Sequence, residues 1–340
     1  MSQANITDVA KAANVSVATV SRALNEPEKV STETQNRIKE AIKELNYRPN
    51  RLGVRLRKQK TNVLLVLVSD LGNPFFSDIL YGMDETAQKH GYSLMVVSTY
   101  FNTERERSSL LALEQRTVDG AVLLSSMLPT EDINYYDAHF PIIQCCDFNE
   151  DSTAMHVSID NYKATEQAVE YFLALGRKRI AAIGLSNNFI SSRLRAKAYR
   201  ETLERHGIAF EPDMFQVVPH TFEYGITATQ VLLRLPEPPD AIFCMSDIIA
   251  AGAVRALADA GIRVPEDVAL IGFDNVVISK IITPPLSTVG QPMRQIGNTA
   301  IEALIERMKG HPVTKEIYLD HELIPVSYTH LRAHETDQYL

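Results

Sequence analysis

Cysteine is scarce: there are three in 340 residues, two of them adjacent at Cys145 and Cys146. That set cannot build a disulfide framework and fits a reducing compartment. Long apolar runs are missing, and none approaches the roughly 18 residues of a membrane span. Residues 1–10 carry Asp8 and no basic start ahead of an apolar stretch, so no secretory signal is expected and the expected location is cytoplasmic. Fifteen glycines and sixteen prolines are too few for a collagen-like or broadly disordered chain. Phosphate-cradling loops are absent as well. Ile183-Gly184-Leu185-Ser186-Asn187 lacks the G-x-G-x-x-G spacing, and neither G-x-x-x-x-G-K-S/T nor G-x-S-x-G occurs. No nucleophile, base and orienting group fall together, so neither an enzyme nor a cofactor is expected. Cys145 and Cys146 end an apolar strand too close together for a zinc knuckle, and no metal site is expected.

What is present is an ordinary globular composition, 45% apolar and 22% charged, at a length that suggests two or three domains. The net charge of −8 conceals an asymmetry. The first 60 residues hold 12 Lys and Arg against 6 Asp and Glu, which leaves 22 against 36 in the remaining 280. A basic head on an acidic body points to a polyanion-binding module joined to something that binds neither nucleic acid nor an anionic membrane.

In the head, Thr7 reads as the N-cap of a short helix in which Val9, Ala10 and Ala13 recur at helical spacing. Asn14-Val15-Ser16 interrupts it. Asparagine tolerates positive φ, which suits a tight turn, and Ser16 caps a second helix from Val17 to Asn25. Two short helices joined by such a turn make a helix-turn-helix. The second helix then presents Val17, Ala18 and Arg22 to base edges in the major groove, while Ser16, Thr19, Ser21 and Asn25 are placed to bond phosphates. Ser31 caps a third helix to about Leu45, whose buried stripe is Ile38, Ala41, Ile42 and Leu45.

Ile6-Thr7-Asp8-Val9-Ala10-Lys11-Ala12-Ala13, followed by Val15 to Asn25, resembles the headpiece of the lactose-repressor/galactose-repressor (LacI/GalR) family, and the likeness continues through Tyr47-Arg48-Pro49-Asn50. The resemblance implies a hinge helix that folds on DNA, with Leu56 as a wedge between central base pairs of a palindromic double-stranded operator. Thr7, Ser31, Asn50 and Arg51 complete the implied DNA-contacting set. Two residues depart from the family pattern: Asn14 stands at the usual turn glycine, and Gly53 where alanine is common. Glycine costs about 0.8 to 1 kcal/mol in a helix interior, so the hinge helix is expected to be weak off DNA. The competing reading of the head is a basic three-helix bundle that binds a protein, with Arg51, Arg55, Arg57, Lys58 and Lys60 as a solvated linker.

From Asn62 onward short apolar runs alternate with helical patterns, the signature of βαβ units around parallel sheets. Strands are expected at about Val63 to Val68, Leu94 to Val97, Ala121 to Leu124 and Ile142 to Cys145 in one lobe. In a second lobe they are expected at Ile180 to Gly184, Phe215 to Val218, Ala241 to Cys244 and Ala269 to Phe273. Helices fall at about Phe76 to His90, Glu104 to Arg116, Tyr162 to Leu175, Ser192 to His206, Tyr224 to Leu235 and Asp247 to Ala260, with exits marked by Gly91, Gly176, Gly207 and Gly261.

Asn73-Pro74-Phe75-Phe76, Val157 to Asn161, Ser246-Asp247, Val264 to Val268, Ile271 to Asn275 and Pro285 to Val289 are similar to the effector domain of the same family. The fold class expected is α/β: an all-α headpiece at 1–48, a hinge at 49–60, and a two-lobed domain like periplasmic sugar-binding proteins at 61–326. The lobes are expected at 61–160 plus 290–326 and at 161–289. By resemblance Phe75, Phe76, Phe148, Asn187, Phe189, Arg193, Phe222 and Asp274 contact a small-molecule effector. The chemistry agrees, since aromatic faces suit a flat ring, and a guanidinium opposite a carboxylate suits hydroxyls. Taken singly, Phe75 and Phe76 also read as core, Phe222 as a loop anchor and Arg193 as a surface ion pair. Asn73 to Ile79, Thr221-Phe222-Glu223, Leu235 to Pro239 and Pro284 to Pro292 look most like the cytidine-responsive nucleoside-uptake members of the family, whereas Asn187-Asn188-Phe189-Ile190 departs from them. A nucleoside is the first expectation for the effector and a sugar or polyol the second.

Residues 327–340 lie outside the family pattern, and Ser327 to Thr336 looks like translated sequencing-adapter read-through, which removes any metal role from His330 and His334. The expectation as a whole is a homodimeric, operator-binding repressor controlled by a ligand. The alternative is a cytoplasmic solute-binding module acting through a protein partner.

Overall fold

The computed structural model describes residues 4–47 and 60–326. The chain divides into two compact units at Thr61/Asn62. Among the described residues no helix is long and apolar enough to cross a membrane.

The first unit holds α1 (Ile6–Ala12), α2 (Val17–Asn25), a single turn of 3-10 helix at Pro27–Lys29, and α3 (Thr32–Glu44). Asn5, not Thr7, caps α1. Its side-chain oxygen accepts the amides of Thr7 and Asp8 at 2.8 and 3.2 Å, and Asp8 accepts the Asn5 amide at 2.9 Å. This reciprocal box satisfies orphan amides that Thr7, one residue inside the helix, does not reach. Asn14 takes the turn at φ 51°. Ser16 caps α2 through the Thr19 amide at 3.1 Å, and Ser31 caps α3 through that of Thr34 at 3.4 Å. Val9, Ala10, Ala13, Val20, Ile38, Ala41 and Tyr47 form the core, with Ile42 and Leu45 half-buried against it.

The second unit holds two sheets, parallel but for one antiparallel edge strand in the second. The first contains β1 (Val63–Val68), β2 (Ser93–Ser98), β3 (Gly120–Leu124), β4 (Ile142–Cys145), β5 (His156–Ile159) and β11 (Glu316–Leu319), in the order β11-β5-β4-β3-β1-β2. The second contains β6 (Ile180–Leu185), β7 (Phe215–Val218), β8 (Ala241–Cys244), β9 (Ala269–Asp274), β10 (Ser287–Gly290) and β12 (Glu322–Ile324), in the order β12-β10-β9-β8-β6-β7. Val63–Val68 is apolar throughout because helices cover both faces of a parallel sheet. The helices are α4 (Pro74–Lys89), α5 (Thr103–Glu114), α6 (Thr130–His139), α7 (Asn161–Ala174), α8 (Ile190–Arg205), α9 (Phe222–Leu232), α10 (Asp247–Asp259), α11 (Ile278–Ile281) and α12 (Met293–Met308).

The chain passes between sheets three times, after β5, β10 and β11. The expectation from sequence that all of 290–326 belongs to the first lobe fails at the last strand. Glu322–Ile324 instead pairs antiparallel with β10, Val289 opposite Leu323, and so closes the edge of the second sheet. In each lobe one helix pair meets at backbone contact. A Cβ on Gly297 of α12 would lie 2.1 Å from the Ile79 carbonyl of α4, and one on Gly252 of α10 would lie 2.2 Å from the Phe222 carbonyl of α9.

Candidate functional site

In open parallel α/β sheets ligands gather beyond the carboxyl ends of the strands, and here those ends from both lobes face one another. Ser69 follows β1, Phe101 follows β2, Ser125 follows β3, and Cys146-Asp147 follows β4. From the other lobe come Asn187 after β6, Ser246 after β8 and Asp274 at the end of β9. They enclose a cavity of about 90 Å³. Ser125, Cys146 and Asp274 hold φ at 56°, 68° and 111°, a region L-residues rarely occupy.

The polar wall centres on Arg195. Its buried guanidinium donates to Asn161 Oδ1 at 2.9 Å and to the Met245 carbonyl at 2.7 Å, and stacks over Phe273 at 3.5 Å. It also lies 4.0 Å from Asp274 Oδ1, which accepts from Gln291 Nε2 at 2.7 Å. Burial pushes the Asp274 carboxyl up to about 6 even though Arg195 and Gln291 pull it down. Asp147 accepts from Ser125 Oγ at 2.9 Å and, across the cleft, from the Ser191 amide at 3.1 Å. His220 Nε2 lies 2.6 Å from Ser246 Oγ, and burial, aided by the Arg195 charge, holds its ring below the ordinary value. Ser69 Oγ is buried with no hydrogen-bond partner among the described residues. A ligand hydroxyl or carbonyl would satisfy it.

The apolar wall is aromatic. Phe75 and Phe76 open α4 behind the cap of Asn73 and meet edge to face at 5.4 Å. Phe101 and Phe189 approach from opposite lobes at 6.3 Å.

Of the residues expected to contact ligand, Phe75, Phe76, Asn187, Phe189 and Asp274 line this cavity. Phe148, Arg193 and Phe222 do not. Phe148 stacks on His156 at 3.7 Å beside Tyr318. Arg193 is more than half exposed and pairs with Glu150 at 2.8 Å. Phe222 is the first residue of α9 and stands partly in solvent. For arginine the reason is helical geometry, since two residues turn a helix by about 200° and put Arg193 outside when Arg195 is inside. Ile190, Ser192, Arg195, Ala198, Tyr199, Thr202 and Leu203 are the buried residues of α8, a period that marks Arg195 as the inward arginine. Asp147, Ser125, His220 and Gln291 carry no comparable sequence signal.

In the headpiece Val17, Ala18 and Arg22 are exposed on α2 while Val20 is buried beneath them, so the residues assigned to base edges share the free face. Thr7, Ser16 and Ser31 are exposed, and Thr19 and Ser21 are half-buried. Ser16 Oγ and Thr19 Oγ1 lie 2.8 Å apart. Asn25 ends α2. Asn50, Arg51 and Leu56, together with His330 and His334, lie outside the described residues.

A helix-turn-helix headpiece followed by two lobes around a cleft of buried polar groups defines a ligand-responsive DNA-binding regulator. Residues 5–50 match the family model of bacterial regulatory proteins, lacI family, and residues 169–325 that of the periplasmic binding protein-like domain. The chain is 37% identical over 323 residues to the HTH-type transcriptional repressor CytR of Escherichia coli strain K12, which covers 94% of this chain and 95% of that protein. It is 32% identical over 326 residues to the HTH-type transcriptional repressor PurR of Aliivibrio fischeri strain MJ11, covering 93% and 95%. A crystal structure of the lac repressor dimer bound to operator and the anti-inducer ONPF is similar with a TM-score of 0.87 at 27% identity, covering 95% of this chain and 98% of that one. The chain belongs to the lacI family of bacterial regulatory proteins. It is a DNA-binding transcriptional repressor with an effector-binding domain of the periplasmic-binding-protein type.

Proposed function

We propose that this repressor works as a homodimer whose affinity for a palindromic operator is set by a nucleoside held between the lobes. The observation that carries the effector class is the two-sided cleft. Phe75, Phe76, Phe101 and Phe189 offer ring faces to a flat base, and Arg195, Asp274, Gln291 and Ser69 Oγ, which has no partner among the described residues, offer donors and acceptors to ribose hydroxyls. A sugar or polyol is the second reading, favoured by the same polar wall, and it leaves the aromatic wall with less to do.

The dimer follows from reach, since a recognition helix of nine residues reads one half-site and a two-fold pair reads a palindrome. Val277 and Ile281, 64% and 70% exposed, give the second lobe apolar surface that a second copy would cover. On DNA, Val17, Ala18 and Arg22 read bases, Thr7, Ser16, Thr19, Ser21, Asn25, Ser31, Asn50 and Arg51 hold phosphates, and Leu56 opens the central step. Ligand acts by favouring one arrangement of the lobes.

Calorimetry on the full chain with cytidine, uridine, adenosine, hexoses and polyols tests the effector. A nucleoside is expected to bind selectively. Combining Phe101→Ala with Phe189→Ala is expected to weaken it at least tenfold, about the 1.4 kcal/mol of one lost stacking contact. Selective binding of a hexose, unaffected by both substitutions, would replace the nucleoside with the second reading.

A further inference from the structure

We propose that Asp247, which lines no part of the cavity, is the positioning residue that presents Asp274 to the effector; this deepens the reading of the cleft and rests on it. Asp247 begins α10 and is fully buried. Its carboxyl divides between two other elements. Oδ2 accepts the Val276 amide at 2.8 Å, just past β9, and Oδ1 accepts from Thr288 Oγ1 of β10 at 2.6 Å.

The segment held by the first bond takes rarely occupied backbone angles and is also tied locally, with Ser279 Oγ donating to the Val276 carbonyl at 2.8 Å. Asp274 and Asn275 sit in succession at φ 111° and 60°. Non-glycine residues keep such angles only where the surroundings over-determine them. The bond to Val276 pins the backbone immediately after this pair, and with it the direction in which the Asp274 side chain leaves the strand.

The second bond fixes the neighbouring strand. In the parallel ladder Gly272 stands opposite Thr288 and Asp274 opposite Gly290, one residue before Gln291. The Asp247 carboxyl rests on the Gly272–Thr288 pair, and a Cβ on Gly272 would lie 2.3 Å from its Oδ1. Gly272 is extended, so what it supplies is space for that carboxyl. One buried side chain therefore sets both strand ends that deliver the bonded pair Asp274 and Gln291 to the ligand.

The test uses the full chain, with amide hydrogen exchange read by peptide and cytidine affinity read by calorimetry. Asp247→Ala is expected to speed exchange at Asn275 and Val276 at least tenfold, leave β1 to β4 unchanged, and weaken cytidine at least tenfold. Asp247→Asn keeps an acceptor for Val276 and reverses the second bond, its Nδ2 donating to Thr288 Oγ1, and is expected to stay within threefold of the parent in both. Thr288→Val removes one of the two bonds at constant shape and is expected to fall between; if Asp247→Ala does not fold, Asp247→Asn and Thr288→Val decide. Exchange and affinity within twofold of the parent in Asp247→Ala would overturn the proposal. So would faster exchange spread evenly over the second lobe, or an Asp247→Asn chain as impaired as the alanine. If the parent chain does not bind cytidine, the nucleoside reading fails, and exchange at Asn275 and Val276 still decides the role of Asp247.

Discussion

Asp274 is a carboxyl the fold holds away from water, and the sign of the consequence is fixed. Its folded value of about 6 lies above its ordinary 3.8, so between those pH values the folded chain binds a proton that the unfolded chain has released. Its contribution to stability is thus fully present below about pH 4 and is lost as pH rises through 6. Asp274→Asn removes that slope. Urea denaturation is expected to find the unliganded variant more stable than the parent at pH 7.5, by roughly 2 to 3 kcal/mol, with the gap closing near pH 4. A variant less stable than the parent at pH 7.5 would show that Arg195 and Gln291 outweigh burial. At this scale the sequence is legible where a residue type stands in a recognisable string, as Asp274 does in Ile271 to Asn275. It is illegible where side chains converge from distant strands, as Asp147, His220 and Gln291 do. Arg195 falls between: resemblance pointed to Arg193, and only the inward face of α8 separates the two.

Among elements, the helix pairs are held at a spacing that only glycine permits. Gly297→Ala would drive a methyl to 2.1 Å from the Ile79 carbonyl, a contact that backbone must yield to. It is expected to lower stability by about 1 to 3 kcal/mol in chemical denaturation. Gly91, with φ 77° and open space around it, is a helix-exit residue whose substitution strains only the backbone. An equal loss at both positions would deny the close crossing. Elements with strong local signals were readable: α2 runs from Val17 to Asn25 as the Ser16 cap implies, and the glycines after α4, α7, α8 and α10 all take positive φ. His156–Ile159, Ser287–Gly290, Glu316–Leu319 and Glu322–Ile324 were not. Each opens on a polar residue, unlike the equally short Ile142–Cys145, Phe215–Val218 and Ala241–Cys244, and takes its hydrogen bonds from remote partners.

For the molecule as a whole, the sequence conveys two lobes because the strand and helix cadence repeats. It does not convey where the chain last changes lobe, since the turn after β11 sends β12 to the second sheet through pairing with β10 alone. Asn161, which bonds Arg195, and Gln291, which bonds Asp274, both sit at crossings between lobes. A ligand that touches this wall touches the segments that join the lobes. Coupling between ligand and DNA needs that link, because an effector shifts only an equilibrium whose two states it binds unequally.

The most direct test of that coupling is selection of the full chain on random duplex DNA, followed by titration of the enriched duplex with and without cytidine, with Arg22→Ala carried alongside. The expected result is a two-fold symmetric site, bound with an affinity that cytidine changes at least fivefold, and a relaxed base preference for Arg22→Ala. No enrichment over random DNA would contradict the operator-binding account. An enriched site indifferent to cytidine, and to every ligand found by calorimetry, would contradict control through the cleft.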